Sequence, residues 1–265
     1  MELLYGLVEA VLRPPVRRGL RWRIGGVERI PAEGPVLLAS NHLSYFDPIA
    51  VANLTDLAGR RVRFLAKSEL FENRILAAGL RRMGQIPVQR GTADAGALDA
   101  AAAALRAGRC VHVFPEGTIS DDLNPMAGKT GLARLARAAG VDVLPVGLWG
   151  THRVMPPRGV RGGPDGKRRK AERFRTPITV VVGDPIPVGP TANPRETTDR
   201  IMAGICAAVA EARRIYPPPA AGDREAWWAR PPESARLRSC RGRVAQARLD
   251  AEPARPETPA EEGGG

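Results

Sequence analysis

A chain of 265 residues can bury a sizeable core, as one large domain or two small ones. Its 40 Lys and Arg against 28 Asp and Glu leave a net charge of +12, which fits a partner carrying phosphates, either nucleic acid or an anionic membrane surface. Aromatic residues make up only 5% and no basic run is interleaved with stacking rings, which argues against single-stranded nucleic acid.

No apolar run reaches the roughly 20 residues needed to span a bilayer. The stretch Glu2 to Leu12 is apolar but short and contains acids, and its cations follow rather than precede it, which makes a poor signal peptide. It reads instead as a short apolar helix lying in a membrane interface, with Arg13, Arg17, Arg18, Arg21 and Arg23 behind it for anionic head groups. The other reading is an ordinary first helix docked on the core. Trp22 to Ile30 reads as a first strand at a sheet edge. Pro35 to Ser40 is a short apolar run and reads as a buried strand.

The stretch Asn41-His42-Leu43-Ser44-Tyr45-Phe46-Asp47-Pro48 follows. Pro48 suits the first turn of a helix, and Asp47 stands where a helix opens. His42 then leaves a strand while Asp47 starts the next helix, a turn that can bring the two side chains together at the carboxyl edge of a sheet. A carboxylate on one ring nitrogen would leave the other as a base. Equally, Asp47 could only cap its helix and His42 be a satisfied turn residue.

Val62 to Ala66 reads as a strand, and Lys67-Ser68-Glu69 leads into a helix over about Leu70 to Met83. Gln85 to Val88 is a short strand ending at Gln89-Arg90-Gly91, where an Arg beside a flexible Gly could grip a phosphate bidentately. Thr92 to Ala107 is an Ala-rich helix stopped by Gly108. Cys110 to Phe114 is a strand closed by Pro115-Glu116-Gly117-Thr118, an acid that can accept hydroxyls next to exposed N–H groups that can hold an anion. A helix over Lys129 to Ala139, a buried strand over Val141 to Leu148, a strand over Ile178 to Gly183 and a helix over Pro194 to Ile215 complete the pattern. Strands alternating with helices predict a single α/β domain, with a largely parallel mixed sheet flanked by helices.

Between the last two strands, Arg153 to Arg175 forms a loop dense in cations. From Pro217 on, a composition rich in Pro, Ala, Arg and Glu predicts a disordered C-terminal tail. The expected organisation is a membrane-interacting segment over 1–21, a catalytic domain over 22–216 and the tail over 217–265. Cys110, Cys206 and Cys240 show neither metal spacing nor an obvious disulfide framework, which predicts a reducing compartment, with Cys110 and Cys206 as buried packing.

Taken together, His42 with Asp47 five residues on, Arg90-Gly91, Phe114-Pro115-Glu116-Gly117-Thr118 and Val143-Leu144-Pro145-Val146 resemble the four signature blocks of the glycerolipid acyltransferase family. That family includes the 1-acylglycerol-3-phosphate acyltransferases. The blocks occur in order, and the resemblance covers about residues 20 to 216. It implies that His42 is the general base and Asp47 its orienting carboxylate. It further implies that Arg90 binds phosphate, that Glu116, Gly117 and Thr118 shape the acceptor site, and that Pro145 is the proline of the fourth block. Lys67, in Lys67-Ser68-Glu69-Leu70, matches the segment between the first two blocks. Members often carry Arg or Ser straight after Glu-Gly-Thr; here Ile119 stands there, with Lys129 as the candidate to replace the missing charge.

The implied reaction moves an acyl chain from a thioester, acyl-CoA or acyl carrier protein, to the free hydroxyl of 1-acylglycerol-3-phosphate, giving phosphatidic acid for phospholipid synthesis. The alternatives are another acceptor (a different lysophospholipid, glycerol-3-phosphate or a glycolipid) and, from another class, an inactive basic module binding membrane or nucleic acid. No cofactor and no metal are implied, and no nucleic-acid partner is expected. The expected location is the cytoplasmic face of the cell membrane, as a peripheral or monotopic protein.

Overall fold

The computed structural model describes residues 14, 16–89, 94–120, 123–156, 172 and 175–219. The expectations for the N-terminal apolar stretch, for Arg90 and Gly91, for most of the basic loop and for nearly all of the tail lie outside them.

Seven strands form one sheet: β1 (Arg21–Gly25), β2 (Val36–Ser40), β3 (Val62–Lys67), β4 (Ile86–Val88), β5 (Cys110–Val113), β6 (Val143–Trp149) and β7 (Pro177–Val182), in the order β1-β7-β6-β2-β5-β3-β4. All neighbours pair in parallel except β6 with β7. Among the described residues the α-helices that accompany the sheet include α1 (Asp47–Leu57), α2 (Arg74–Arg82), α3 (Ala95–Arg106), α4 (Gly131–Ala139), α5 (Thr151–Val154) and α6 (Pro194–Ile215). Among the described residues no helix is long and apolar enough to cross a membrane.

The sheet is covered on both faces because its central strands are apolar on both sides. Every residue of β2 is buried, as expected of a strand inside a parallel sheet. Side chains alternate along a strand, so Leu37 and Ala39 join one core with Leu105, Leu135, Ile201 and Ile205 of α3, α4 and α6. Val36 and Leu38 join the other, with Ala50, Val51 and Leu54 of α1. α6 lies directly on β6. A Cβ at Gly147 would sit 2.2 Å from the Ala208 carbonyl carbon, so only glycine allows this approach.

Element boundaries depart from the sequence reading where polar residues intervene. β1 does lie at the edge, but it stops at Gly25, because Gly26 takes φ +75° and turns the chain into a short 3-10 segment, Val27–Arg29. The helix expected over 70–83 is two pieces: a 3-10 turn, Ser68–Phe71, and then α2. Asn73 divides them by accepting from the N–H groups of Ile75 and Leu76, the cap that asparagine is suited to make. Asp94 likewise starts α3 later than expected by accepting from Ala97 N–H. α6 spans Pro194–Ile215 as predicted, capped by Asn193.

Candidate active site

The carboxyl ends of β2 and β5 lie side by side, since β2 pairs with β5 in parallel register. The two informative loops therefore meet at one edge of the sheet. Asn41 continues β2 by side chain: its Nδ2 donates to Leu148 O at 3.1 Å and its Oδ1 accepts from Leu148 N at 2.8 Å. This clamps the turn to β6 just before His42.

His42 is 5% exposed and Asp47 fully buried. His42 Nδ1 lies 2.8 Å from Asp47 Oδ2. The same carboxylate oxygen accepts from the main-chain N–H of Leu43 at 2.6 Å and of Ser44 at 2.8 Å. Asp47 thus does more than open α1: the helix has no side-chain cap at Phe46, and the carboxylate is spent on the His42 turn. With Asp47 Oδ2 as the acceptor of this contact, the proton sits on Nδ1, which leaves a lone pair on Nε2. Nε2 makes no hydrogen bond among the described residues, and His42 lines a cavity.

The Glu-Gly-Thr loop holds the histidine turn from the other side. Glu116 Oε1 accepts from His42 N at 3.1 Å, and Ser120 N donates to His42 O at 2.8 Å. Glu116, buried, therefore braces the His42 turn directly, which the acceptor-shaping role implied by the resemblance did not include. The Phe114 ring stacks on the His42 imidazole, centroids 3.9 Å apart and planes 16° from parallel. Gly117 adopts φ +71°, and a Cβ there would lie 2.8 Å from Lys129 Nζ. The lysine thus lies across the glycine, with its own N–H bonded to Pro115 O at 2.9 Å. Thr118 is exposed at the loop tip. Pro145 lies on β6 opposite Ala39 of the strand that carries His42.

The cavity beside His42 has a volume of about 600 Å³. Its walls are mainly apolar, with Pro48, Ile49 and Ala52 of α1, Phe64 of β3, and Leu80 and Met83 from α2 and its end. Lys67 also lines it, half-exposed and paired with Glu69 at 2.7 Å. Of the expected site residues, the structure brings together His42, Asp47, Glu116 and Gly117, and Lys67 lines the same cavity as His42.

Behind the site, His112 points Nε2 at Ser40 Oγ, 3.0 Å away, and meets the Phe114 ring edge-on at 4.5 Å. Burial pushes its pKa down to about 3, with His42 nearby adding to the effect, so it is neutral at ordinary pH. Burial pushes the Cys110 thiol up to about 12, which makes it inert packing, as expected. Cys206 departs from the expectation: it is disulfide-bonded. Bonding depends on which segments approach in space, and spacing along the chain does not show that. Arg153, expected as part of a loop free to meet anions, is buried instead. It pairs with Glu172 and donates to Tyr216 Oη at 2.8 Å. Among the described residues no group of three or more His, Cys, Asp or Glu is placed to hold a metal ion.

Residues missed in the sequence are Asn41, Phe114 and Ser120 as supports of His42 and its turn. The signal for Asn41 was a polar residue directly after an apolar strand.

Residues 21–149 match the Acyltransferase family model. Curated relatives named 1-acyl-sn-glycerol-3-phosphate acyltransferase include a chloroplastic protein of Arabidopsis thaliana, 32% identical over 50% of this chain and 37% of its own length. Others come from Streptococcus pneumoniae, 31% identical over 48% of this chain and 49% of the relative, and Bacillus subtilis, 26% identical over 42% and 55%. The chain spans about half the length of these relatives or less. The crystal structure of the 1-acyl-sn-glycerophosphate acyltransferase of Thermotoga maritima shares the fold, with a TM-score of 0.61 and 23% identity over 80% of this chain and 79% of that one. The His42–Asp47 turn and the Glu116-Gly117-Thr118 loop both lie inside residues 21–149, the part of the chain that matches the acyltransferase family.

Proposed function

We propose that this protein transfers an acyl chain from a thioester to the free hydroxyl of 1-acylglycerol-3-phosphate, giving phosphatidic acid. The observation that carries the reading is His42, with Nδ1 held by Asp47 at 2.8 Å and Nε2 left for a substrate beside an apolar cavity. An alcohol keeps its proton at neutral pH and is a poor nucleophile. His42 Nε2 takes that proton as the hydroxyl oxygen attacks the thioester carbonyl. The carbon–oxygen bond forms, the carbon–sulfur bond breaks, and the proton passes from the imidazolium to the departing thiolate. Asp47 stabilises the imidazolium while it exists. The acyl chain passes straight to the acceptor, so no cysteine or serine of the protein is acylated.

The cavity suits the hydrocarbon part of a donor or acceptor, and its size is that of a small-molecule site. For the acceptor phosphate the candidates are Arg90 and Lys129. The donor is acyl-CoA or acyl carrier protein, and the product feeds phospholipid synthesis at the cytoplasmic face of an anionic membrane. Ile119, in place of a cation after Glu-Gly-Thr, favours a second reading in which a different lysolipid is the acceptor. What supports an enzyme over an inactive binding module is the intact brace of Asp47 and Glu116 around His42.

The test is purified protein with acyl-CoA and a panel of lysolipids, following free thiol and product. Thiol release that depends on 1-acylglycerol-3-phosphate and disappears in His42→Ala supports the reading. Release with another lysolipid alone replaces the acceptor; no release with any of them, from either donor, removes the proposal.

A further inference from the structure

α2 leaves Ile75 and Leu76 uncovered at the surface. Of its nine residues only Ala77 is buried. Ile75 is 87% exposed, Leu76 45%, and Leu70 in the preceding 3-10 turn 44%. A helix on the surface of a globular domain ordinarily directs its apolar stripe to the core, and contiguous exposed apolar residues mark an interaction surface.

The charge around these residues has one sign on the helix itself. Arg74, Arg81 and Arg82 are exposed, α2 contains no acid, and none of the three takes part in an ion pair among the described residues. Of the acids just before it, Glu69 is occupied by Lys67, which leaves Glu72. Arg81 lies over the Phe71 ring at 5.9 Å, so the cation and the apolar surface are interleaved. The same segment also reaches inward, since Leu70, Leu80 and Met83 line the cavity that ends at His42. Exposed surface and cavity wall are thus one continuous stretch of chain.

We propose that Ser68–Arg82 is the face that docks on an anionic lipid bilayer. Leu70, Ile75 and Leu76 enter the boundary between head groups and acyl chains, and Arg74, Arg81 and Arg82 meet the lipid phosphates. A lipid chain then reaches the cavity along Leu70 and Leu80 without crossing water. This rests on the reading that the cavity takes the chain of a lipid substrate. A second copy of the protein fits the face less well, because a two-fold pairing sets one cationic face against another like it.

The test is co-sedimentation of the full chain with phosphatidylcholine vesicles, with and without phosphatidylglycerol. Ile75→Asp/Leu76→Asp should lower the partition coefficient about tenfold or more on both vesicles, since it removes apolar insertion. Arg81→Glu/Arg82→Glu should weaken binding by about fivefold per charge, on the anionic vesicles alone and most at low salt. Melting temperatures should stay at the wild-type value, because these side chains are exposed. Ile75→Asp/Leu76→Asp should also keep its turnover of a short-chain, monomeric lysolipid, so that loss of docking is read apart from loss of chemistry. Unchanged vesicle binding in both double variants overturns the proposal. So does a wild-type dimer that Ile75→Asp/Leu76→Asp splits while vesicle binding stays the same.

Discussion

A histidine is a useful base only while its ring is held in one tautomer and one place. Here four contacts do that: Asp47 on Nδ1, Glu116 on the main-chain N–H, Ser120 on the carbonyl and Phe114 on the ring face. His42→Ala should lower kcat by about 10²–10⁴, the usual worth of a positioned general base. Asp47→Asn should also slow turnover strongly, since an amide favours the wrong tautomer and leaves the N–H groups of Leu43 and Ser44 a weaker acceptor. Steady-state kinetics on variants with wild-type circular dichroism checks both, and near-normal kcat in His42→Ala would discard the mechanism. His42, Asp47 and Glu116 stood out in the sequence because they fall in short local patterns at predicted strand ends. The sequence did not expose the bracing contacts of Phe114 and Ser120, which depend on two strand ends 74 residues apart meeting in space. The burial of Arg153 was hidden for the same reason: its partners are Glu172 and Tyr216, and in sequence it looks like one cation of a solvated loop.

Elements were legible where apolar period and cap agree. β2 is a run of five buried residues between Pro35 and a polar turn, and α6 is framed by Asn193 and the extended residue Tyr216. They were less legible where a side chain competes with the main chain, as Asn73 does before α2. Asn73→Ala should cost about 1 kcal/mol of stability through loss of that cap, measured by urea denaturation; no change would mean that water serves the Ile75 and Leu76 N–H groups equally well. The contact of α6 with β6 was not legible at all, since Gly147 reads in sequence as an ordinary weak point in a strand. A methyl group there would lie 2.2–2.4 Å from the Ala208–Val209 peptide. Backbone cannot swing aside as a long side chain can, so Gly147→Ala should destabilise by about 1–3 kcal/mol or more. A wild-type melting temperature would show that α6 is free to shift.

At the scale of the whole molecule, alternating strands and helices indicated a sheet covered on both faces, but neither the strand order nor the antiparallel pairing of β7 with β6. Both follow from connection geometry rather than local pattern. Burial of polar groups is likewise a property of the finished fold, and it makes stability depend on pH. His112 and His152 are both fully buried, and burial pushes each down to about 3; for His152 the neighbouring cations Arg213 and Arg153 add to the effect. Above the ordinary histidine range, near pH 6.5, neither binds a proton in the folded or the unfolded chain. As pH falls below that range the unfolded histidines take up protons and the folded ones do not. The unfolded state gains, and stability falls until the folded pKa is reached. At pH 5 each histidine should cost the fold about 2 kcal/mol relative to pH 7, from a gap of about 1.5 units. The interval from pH 6.5 to 5 lies above the range where carboxylates protonate, so the histidines can be read there. Urea midpoints should therefore drop steeply across it in the wild type. In His112→Leu the drop should be shallower by about that amount at pH 5, whatever the absolute stability of the variant, because His42 and His152 are common to both proteins. An identical slope in His112→Leu would mean that His112 accepts a proton in the folded protein, and that the dry wall behind Phe114 admits water.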